Sequence, residues 1–231
     1  MSNRAIHDPA AIRSTPLRAA RVLVIDGYPV PRQGLAQLIR KSDDLEYVGA
    51  VENPTEALAT ITDTKPDVVV VELALNNGHG TDFIRSIKNS FADLAILVFS
   101  HQDETIFAHR AVRAGARGYV MKSEPEQTVL KAIRAVLDGD VYLSPPMALR
   151  MCRRLVDGQH APRGPGIDRL SDRQLEVFEL FGQYLDAREI AEKLNVSIKT
   201  VNTHKALIRK KLSLINGSDL VRLAADWMQN R

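Results

Sequence analysis

Four short apolar runs in this chain each end on a side chain with chemical capability. Val22-Leu23-Val24-Ile25 leads to Asp26, Val68-Val69-Val70-Val71 to Glu72, Ile96-Leu97-Val98-Phe99 to Ser100, and Gly118-Tyr119-Val120-Met121 to Lys122. Two carboxylates, a hydroxyl and an ammonium brought to one edge form a constellation for phosphate chemistry, because charged and hydroxyl donors bind phosphate oxygens while carboxylates hold hard cations.

A second set lies near the C-terminus. From Lys199 to Lys211 the chain carries Lys199, Lys205, Arg209, Lys210 and Lys211 with no acidic residue, while Val201, Ile208 and Leu212 fall at helical spacing on another face. Lysines and the hydroxyls of Ser197 and Thr200 suit phosphates, Asn202 suits an adenine edge, and the methyl of Thr203 suits a thymine methyl. Such a face suits the major groove of DNA, and a plain solvated basic face is the alternative.

Both sets depend on the elements that carry them. Continuous apolar runs separated by helical patterns are what parallel strands covered on both faces require. Asn53-Pro54 reads as an N-cap and a first-turn proline ahead of Ala57, Leu58 and Ile61, and a further strand fits at residues 47–51. The expectation is an α/β fold, a doubly wound five-stranded parallel sheet over residues 21–143, followed by an all-α helix-turn-helix domain over 168–231. Residues 144–167, rich in proline, glycine and arginine, read as a linker with a short helix near Ala148 to Val156, and residues 1–20 as a mobile tail. In the C-terminal domain a helix ends near Leu194, Asn195 takes a left-handed turn and Ser197 caps the next helix.

Composition narrows the classes. A chain of 231 residues, 45% hydrophobic and 26% charged, has enough material for two packed domains. The formal charge of +3 permits a polyanionic partner without requiring one. The single cysteine, Cys152, excludes an internal disulfide and fits a reducing cytoplasm, and no stretch has the apolar length of a secretion signal or membrane span. There is no catalytic triad, metal-ligand cluster or nucleotide loop, so an enzyme is not expected and no catalytic residue is assigned.

Taken together, Leu170-Ser171-Asp172-Arg173-Gln174, Glu189-Ile190-Ala191, Lys199-Thr200-Val201-Asn202-Thr203-His204 and Arg209-Lys210-Lys211-Leu212 resemble the LuxR-type helix-turn-helix. The resemblance implies that Ser197, Lys199, Thr200, Asn202, Thr203, His204, Lys205 and Lys210 approach double-stranded DNA. It also places Leu220, Val221, Leu223 and Ala224 where family members often form homodimers. Tyr184 and Ser213 stand where glycine is usual.

The segments from Arg21 to Leu35, Pro66 to Leu73 and Ala114 to Lys122 resemble the receiver domain of two-component response regulators, so the whole chain is similar to the NarL/FixJ family. The resemblance implies a receiver site of Asp26, Gly27, Glu72, Ser100, Tyr119 and Lys122, and the departures sit at its centre. Glu72 occupies the place of the phosphoacceptor aspartate, and Gly27 supplies no carboxylate where an acidic pair holds magnesium. No cofactor is expected, beyond weak residual magnesium at Asp26 and Glu72 with a backbone carbonyl near Ala74. Glu72 is one methylene too long for the acceptor geometry, and misplacement by about 1 Å costs on the order of a hundredfold in rate. Its charge could mimic a phosphoryl group near Ser100 and Lys122, or Glu72 and Lys122 could form a plain ion pair.

Three functions follow. The first is a dimeric DNA-binding regulator, independent of phosphorylation and set by mimicry, a small ligand at the degenerate site or a protein partner. The second is a conventional phosphorylation-controlled regulator. The third is an interaction module or anti-activator that does not bind DNA.

Overall fold

Alternation within each strand decides the layers. In β1 (Ala20–Ile25) and β3 (Val68–Val71), Val22, Val24, Val68 and Val70 pack into one apolar cluster while Leu23, Ile25, Val69 and Val71 pack into another. Both faces are therefore covered, and the strands read as unbroken apolar runs. In this computed structural model the described residues are 18–75, 80–156 and 166–229. Most of the expected N-terminal tail, four residues of the loop after β3 and the stretch 157–165 of the expected linker lie outside them.

The five-stranded parallel sheet has the order β2-β1-β3-β4-β5, completed by β2 (Leu45–Val51), β4 (Ala95–Ser100) and β5 (Gly118–Met121). α1 (Pro29–Arg40) and α5 (Glu126–Leu137) cover one face through Leu35, Ile39, Val129, Ile133 and Val136. α2 (Pro54–Thr64), α3 (Gly80–Ser90) and α4 (Glu104–Ala114) cover the other through Ile61, Phe83, Ile84, Ile87 and Phe107. The sequence signals hold at α2, where Asn53 accepts from Glu56 N–H at 3.0 Å ahead of Pro54. α1 starts at Pro29 and keeps Pro31 within its first turn, whose N–H groups have no intrahelical partner.

The expected linker opens with a full helix, α6 (Pro145–Val156), three residues earlier than the sequence suggested. Ser144 sets its start: the hydroxyl accepts from Met147 N–H at 3.2 Å and donates to Glu104 at 2.5 Å. Met147, 1% exposed, anchors α6 against α4.

A 3-10 turn (Ile167–Arg169) then leads into α7 (Asp172–Gly182), α8 (Ala187–Lys193), α9 (Ile198–Lys211) and α10 (Gly217–Gln229). Reciprocal capping boxes start α7 at Ser171 and Gln174 and α8 at Asp186 and Glu189. α7 and α10 pack closely at Gly182, where a Cβ would come within 2.9 Å of the Ala224 backbone. The two domains touch through Asp172, whose carboxylate accepts from Thr81 N–H at 2.5 Å and pairs with Arg110 at 3.3 Å. Arg110 also donates to the carbonyls of Leu170 and Ile167, at 2.8 and 3.1 Å.

Candidate functional site

The sheet order reverses at β1 and β3, so the loops after these strands diverge and leave a crevice at their carboxyl ends. Asp26 and Glu72 are the first residues past those ends, tied to the sheet by Asp26 N–H to Val51 O at 3.1 Å and Glu72 N–H to Ile25 O at 2.8 Å. Ser100 closes β4, and Lys122 follows β5 with its N–H on Ser100 O at 2.8 Å. The four residues that apolar runs delivered separately in sequence converge here.

They converge on one another. Lys122 Nζ lies 2.5 Å from Asp26 Oδ2 and 2.6 Å from Glu72 Oε2, and the three side chains are 3%, 2% and 0% exposed. Glu72 Oε1 accepts from Ala74 N–H at 3.0 Å and from the Ser100 hydroxyl, which itself accepts from Gln102 N–H at 3.1 Å. The Ala74 group that engages this site is thus an N–H bonded to Glu72. Asp26 Oδ1 takes Tyr28 N–H at 2.8 Å. Tyr119, 1% exposed, donates its hydroxyl to Gln102 O at 2.8 Å, and burial holds that hydroxyl far above its ordinary pKa, so it stays a donor. Gly27 adds no side chain.

Two further residues complete the site. Tyr28 places its ring 5.4 Å from Lys122 Nζ, roofing the ammonium, with Phe99 at 5.8 Å. Arg32 binds the Asp26 carbonyl at 2.6 Å and the Glu52 carboxylate, bracing the β1–α1 turn. Its position three residues into α1 is a possible signal; nothing in the sequence singles out its partner.

The C-terminal set divides. Ser197 caps α9 by accepting Thr200 N–H at 3.0 Å, and its hydroxyl lies 2.8 Å from that of Thr200. Lys199, Asn202, Thr203 and Lys210 are exposed along one face of α9, though Thr203 gives its hydroxyl to Lys199 O at 2.9 Å and presents its methyl instead. Ala206 and Leu207 are exposed between them, and the spacing 199, 202, 203, 206, 207, 210 would have revealed both as part of that face. Lys205 departs from the expected reading face, because its ammonium sits 5.0 Å over the Phe181 ring. His204 is half-buried beside Arg173 and Glu176, and burial first, then the Arg173 charge, lowers its pKa. In α10, Leu220 and Ala224 are fully buried inside their own domain, which removes them from a dimer surface; Val221 and Leu223 are partly exposed.

Comparison with known proteins agrees with this architecture. Residues 22–134 match the response regulator receiver domain, and residues 168–224 match the bacterial regulatory proteins of the luxR family. The oxygen regulatory protein NreC of Staphylococcus carnosus is 33% identical over 208 residues, covering 88% of this chain and 96% of that protein; its Staphylococcus haemolyticus counterpart is 30% identical over the same shares. In fold, the chain is similar to RcsB of Salmonella enterica serovar Typhimurium, solved on the promoter rprA with the phosphomimetic BeF3−, at a TM-score of 0.58 and 24% identity over 90% of this chain and 99% of that one. A LuxR-family two-component response regulator from an Aurantimonas species shares 32% identity over 60% of this chain and 99% of its own, at a TM-score of 0.56. No helix among the described residues is long and apolar enough to cross a membrane. Shared sequence across both domains shows that the chain belongs to the NarL/FixJ family of response regulators, transcription regulators that join a receiver to a LuxR-type helix-turn-helix.

Proposed function

We propose that this regulator binds double-stranded DNA as a homodimer through α9, in the cytoplasm, and that its receiver works without phosphorylation. The observation that carries the reading is the closed network at the carboxyl edge. One carboxylate oxygen of Glu72 takes the Ser100 hydroxyl and the other faces the Lys122 ammonium, so the longer side chain reaches both groups that would bind a phosphoryl oxygen. Glu72 thereby supplies permanently the negative charge that phosphorylation would supply on demand.

The same geometry disfavours magnesium. Mg2+ requires several oxygens in a near-octahedral shell, whereas Asp26 and Glu72 already share an ammonium, and Gly27 adds no ligand. The residues present do not fit the ion, and no step of the function runs through it. Lys122 does the neutralising work from within the chain.

For the reading helix, Lys199 and Lys210 supply phosphate contacts and fix the register, Asn202 reads a base edge, and Ser197 and Thr200 hold the N-terminus of α9 at the groove. The RcsB relative is bound to promoter DNA and another RcsB structure holds two dimers on two parallel DNAs, which accords with this assembly.

Two measurements test the reading. Intact mass after incubation with acetyl phosphate and Mg2+ is expected to show no phosphoryl adduct; a labile adduct at Glu72 would restore conventional control. Selection of randomised duplexes on the full chain is expected to enrich one sequence as a repeated half-site, bound with steep salt dependence. Absence of enrichment would leave an interaction module. Glu72→Gln, which keeps the shape and removes the charge, is expected to weaken both dimerisation and DNA affinity, and no change in either would end the mimicry idea.

A further inference from the structure

We propose that the cleft between the two domains is a binding site for a compact, multiply phosphorylated small molecule. The cleft measures about 430 Å3, within the range of ordinary small-ligand sites. Five permanent cations line it: Arg85 from α3, Arg110 and Arg113 from α4, Arg169 from the 3-10 turn and Lys211 from the last turn of α9. Among the described lining residues two carboxylates face them, and both are engaged, Asp82 with Arg85 and Asp172 with Thr81 N–H and Arg110. Five against two leaves an excess of three positive charges among the described lining residues.

This is a built wall rather than a scatter of solvated side chains. Arg110 is only 10% exposed, fixed by the Leu170 and Ile167 carbonyls, and its buried Nε–H has no acceptor among the described residues. Lys211 Nζ is held by neutral oxygens, the Arg169 carbonyl at 2.8 Å and the Gln174 side chain at 2.7 Å, so its charge is positioned but not neutralised. Like charges gathered in one concavity repel one another, and an anion bound among them relieves that repulsion.

The lining also narrows the ligand. The His109 imidazole is the one ring among the described lining residues and Leu170 the one large apolar side chain, so the lining is dominated by charge rather than by stacking or apolar surface. Recognition must come from charge, and guanidinium forks pair best with the planar edges of phosphate groups. A DNA duplex is too wide for a cleft of this volume. Because the cations come from both domains, the ligand binds the docked arrangement better than the separated one and holds the reading domain on the receiver.

Calorimetric titration of the full chain with tripolyphosphate, at physiological ionic strength, tests the site. One saturable equivalent is expected. Arg113→Ala combined with Arg169→Ala, whose side chains are exposed and make no described hydrogen bond or ion pair, is expected to weaken binding at least about tenfold with an unchanged melting temperature. Lys199→Ala with Lys210→Ala, on the reading face, is expected to leave it unchanged. Loss in the reading-face variant, equal loss in both, or no saturable heat would overturn the proposal. So would tighter binding of a poly-glutamate peptide that the Arg113/Arg169 variant abolishes, which would assign the cleft to an acidic protein segment.

Discussion

Lys122 and Lys199 are the same side chain in opposite situations. Lys122 is 3% exposed and divides its charge between Asp26 and Glu72, whereas Lys199 stands exposed at the start of α9, where no acidic residue follows for the rest of the helix. The receiver edge holds its polar groups against one another; the reading helix leaves the side chains of Lys199, Asn202 and Lys210 exposed on one face. In the first region the chemistry is internal and becomes structure. In the second it is left for something else to complete.

The contrast predicts different consequences for removing a charge. Lys122→Met leaves two buried carboxylates facing each other without a cation, and breaking such a buried group destabilises by about 3–5 kcal/mol. Chemical denaturation of the variant should show a loss of that size in the receiver transition. A loss below about 1 kcal/mol would mean that water reaches the site and that the edge is less closed than its burial indicates.

On α9 the expected effects fall on binding and spare the fold. Asn202→Ala should cost about 1–3 kcal/mol in affinity for the selected site and relax preference at one base position. Lys210→Ala should weaken binding to all sequences alike and reduce the salt slope by roughly one. Both can be read by fluorescence anisotropy over a range of salt. If Lys210→Ala instead changed sequence preference, the division between positioning and reading side chains on this face would be wrong.

The two regions also differ in how legible they were. Strand ends could be found because apolar runs are unambiguous and the carboxyl ends of a doubly wound sheet collect the site, so Asp26, Glu72, Ser100 and Lys122 were found together. What the sequence could not show was their mutual pairing, since a side chain's partner depends on rotamers and on loops such as the one that turns Tyr28 over Lys122. On α9 the charge was legible but its direction was not: Lys205 folds onto Phe181, and His204 turns inward. The two departures from the family's glycines prove to be backbone features, because Tyr184 and Ser213 adopt left-handed φ of 63° and 54°. The chain keeps the turn and bears the strain of a side chain there. Tyr184 is 74% exposed and gives up little packing, so Tyr184→Gly should stabilise the C-terminal domain by up to about 1 kcal/mol in thermal unfolding.

His204 stands between the two regimes and gives the smallest effect. It belongs to the reading helix, yet it is half-buried against α7, where desolvation and the Arg173 charge lower its pKa below the ordinary 6.5 while Glu176 partly opposes them. A lowered folded-state value means that the unfolded chain takes up the proton first. The contribution is therefore fully present above about pH 6.5 and is lost as pH falls through the folded value, below which it changes no further. Denaturation midpoints taken between about pH 7.5 and 5.5 should drop more for the wild type than for His204→Gln, which cannot titrate. Identical pH dependence in the two proteins would place His204 with the freely solvated side chains of the reading face, and the boundary between the inward and outward sides of α9 would then have to be drawn at Val201 and Ile208 alone.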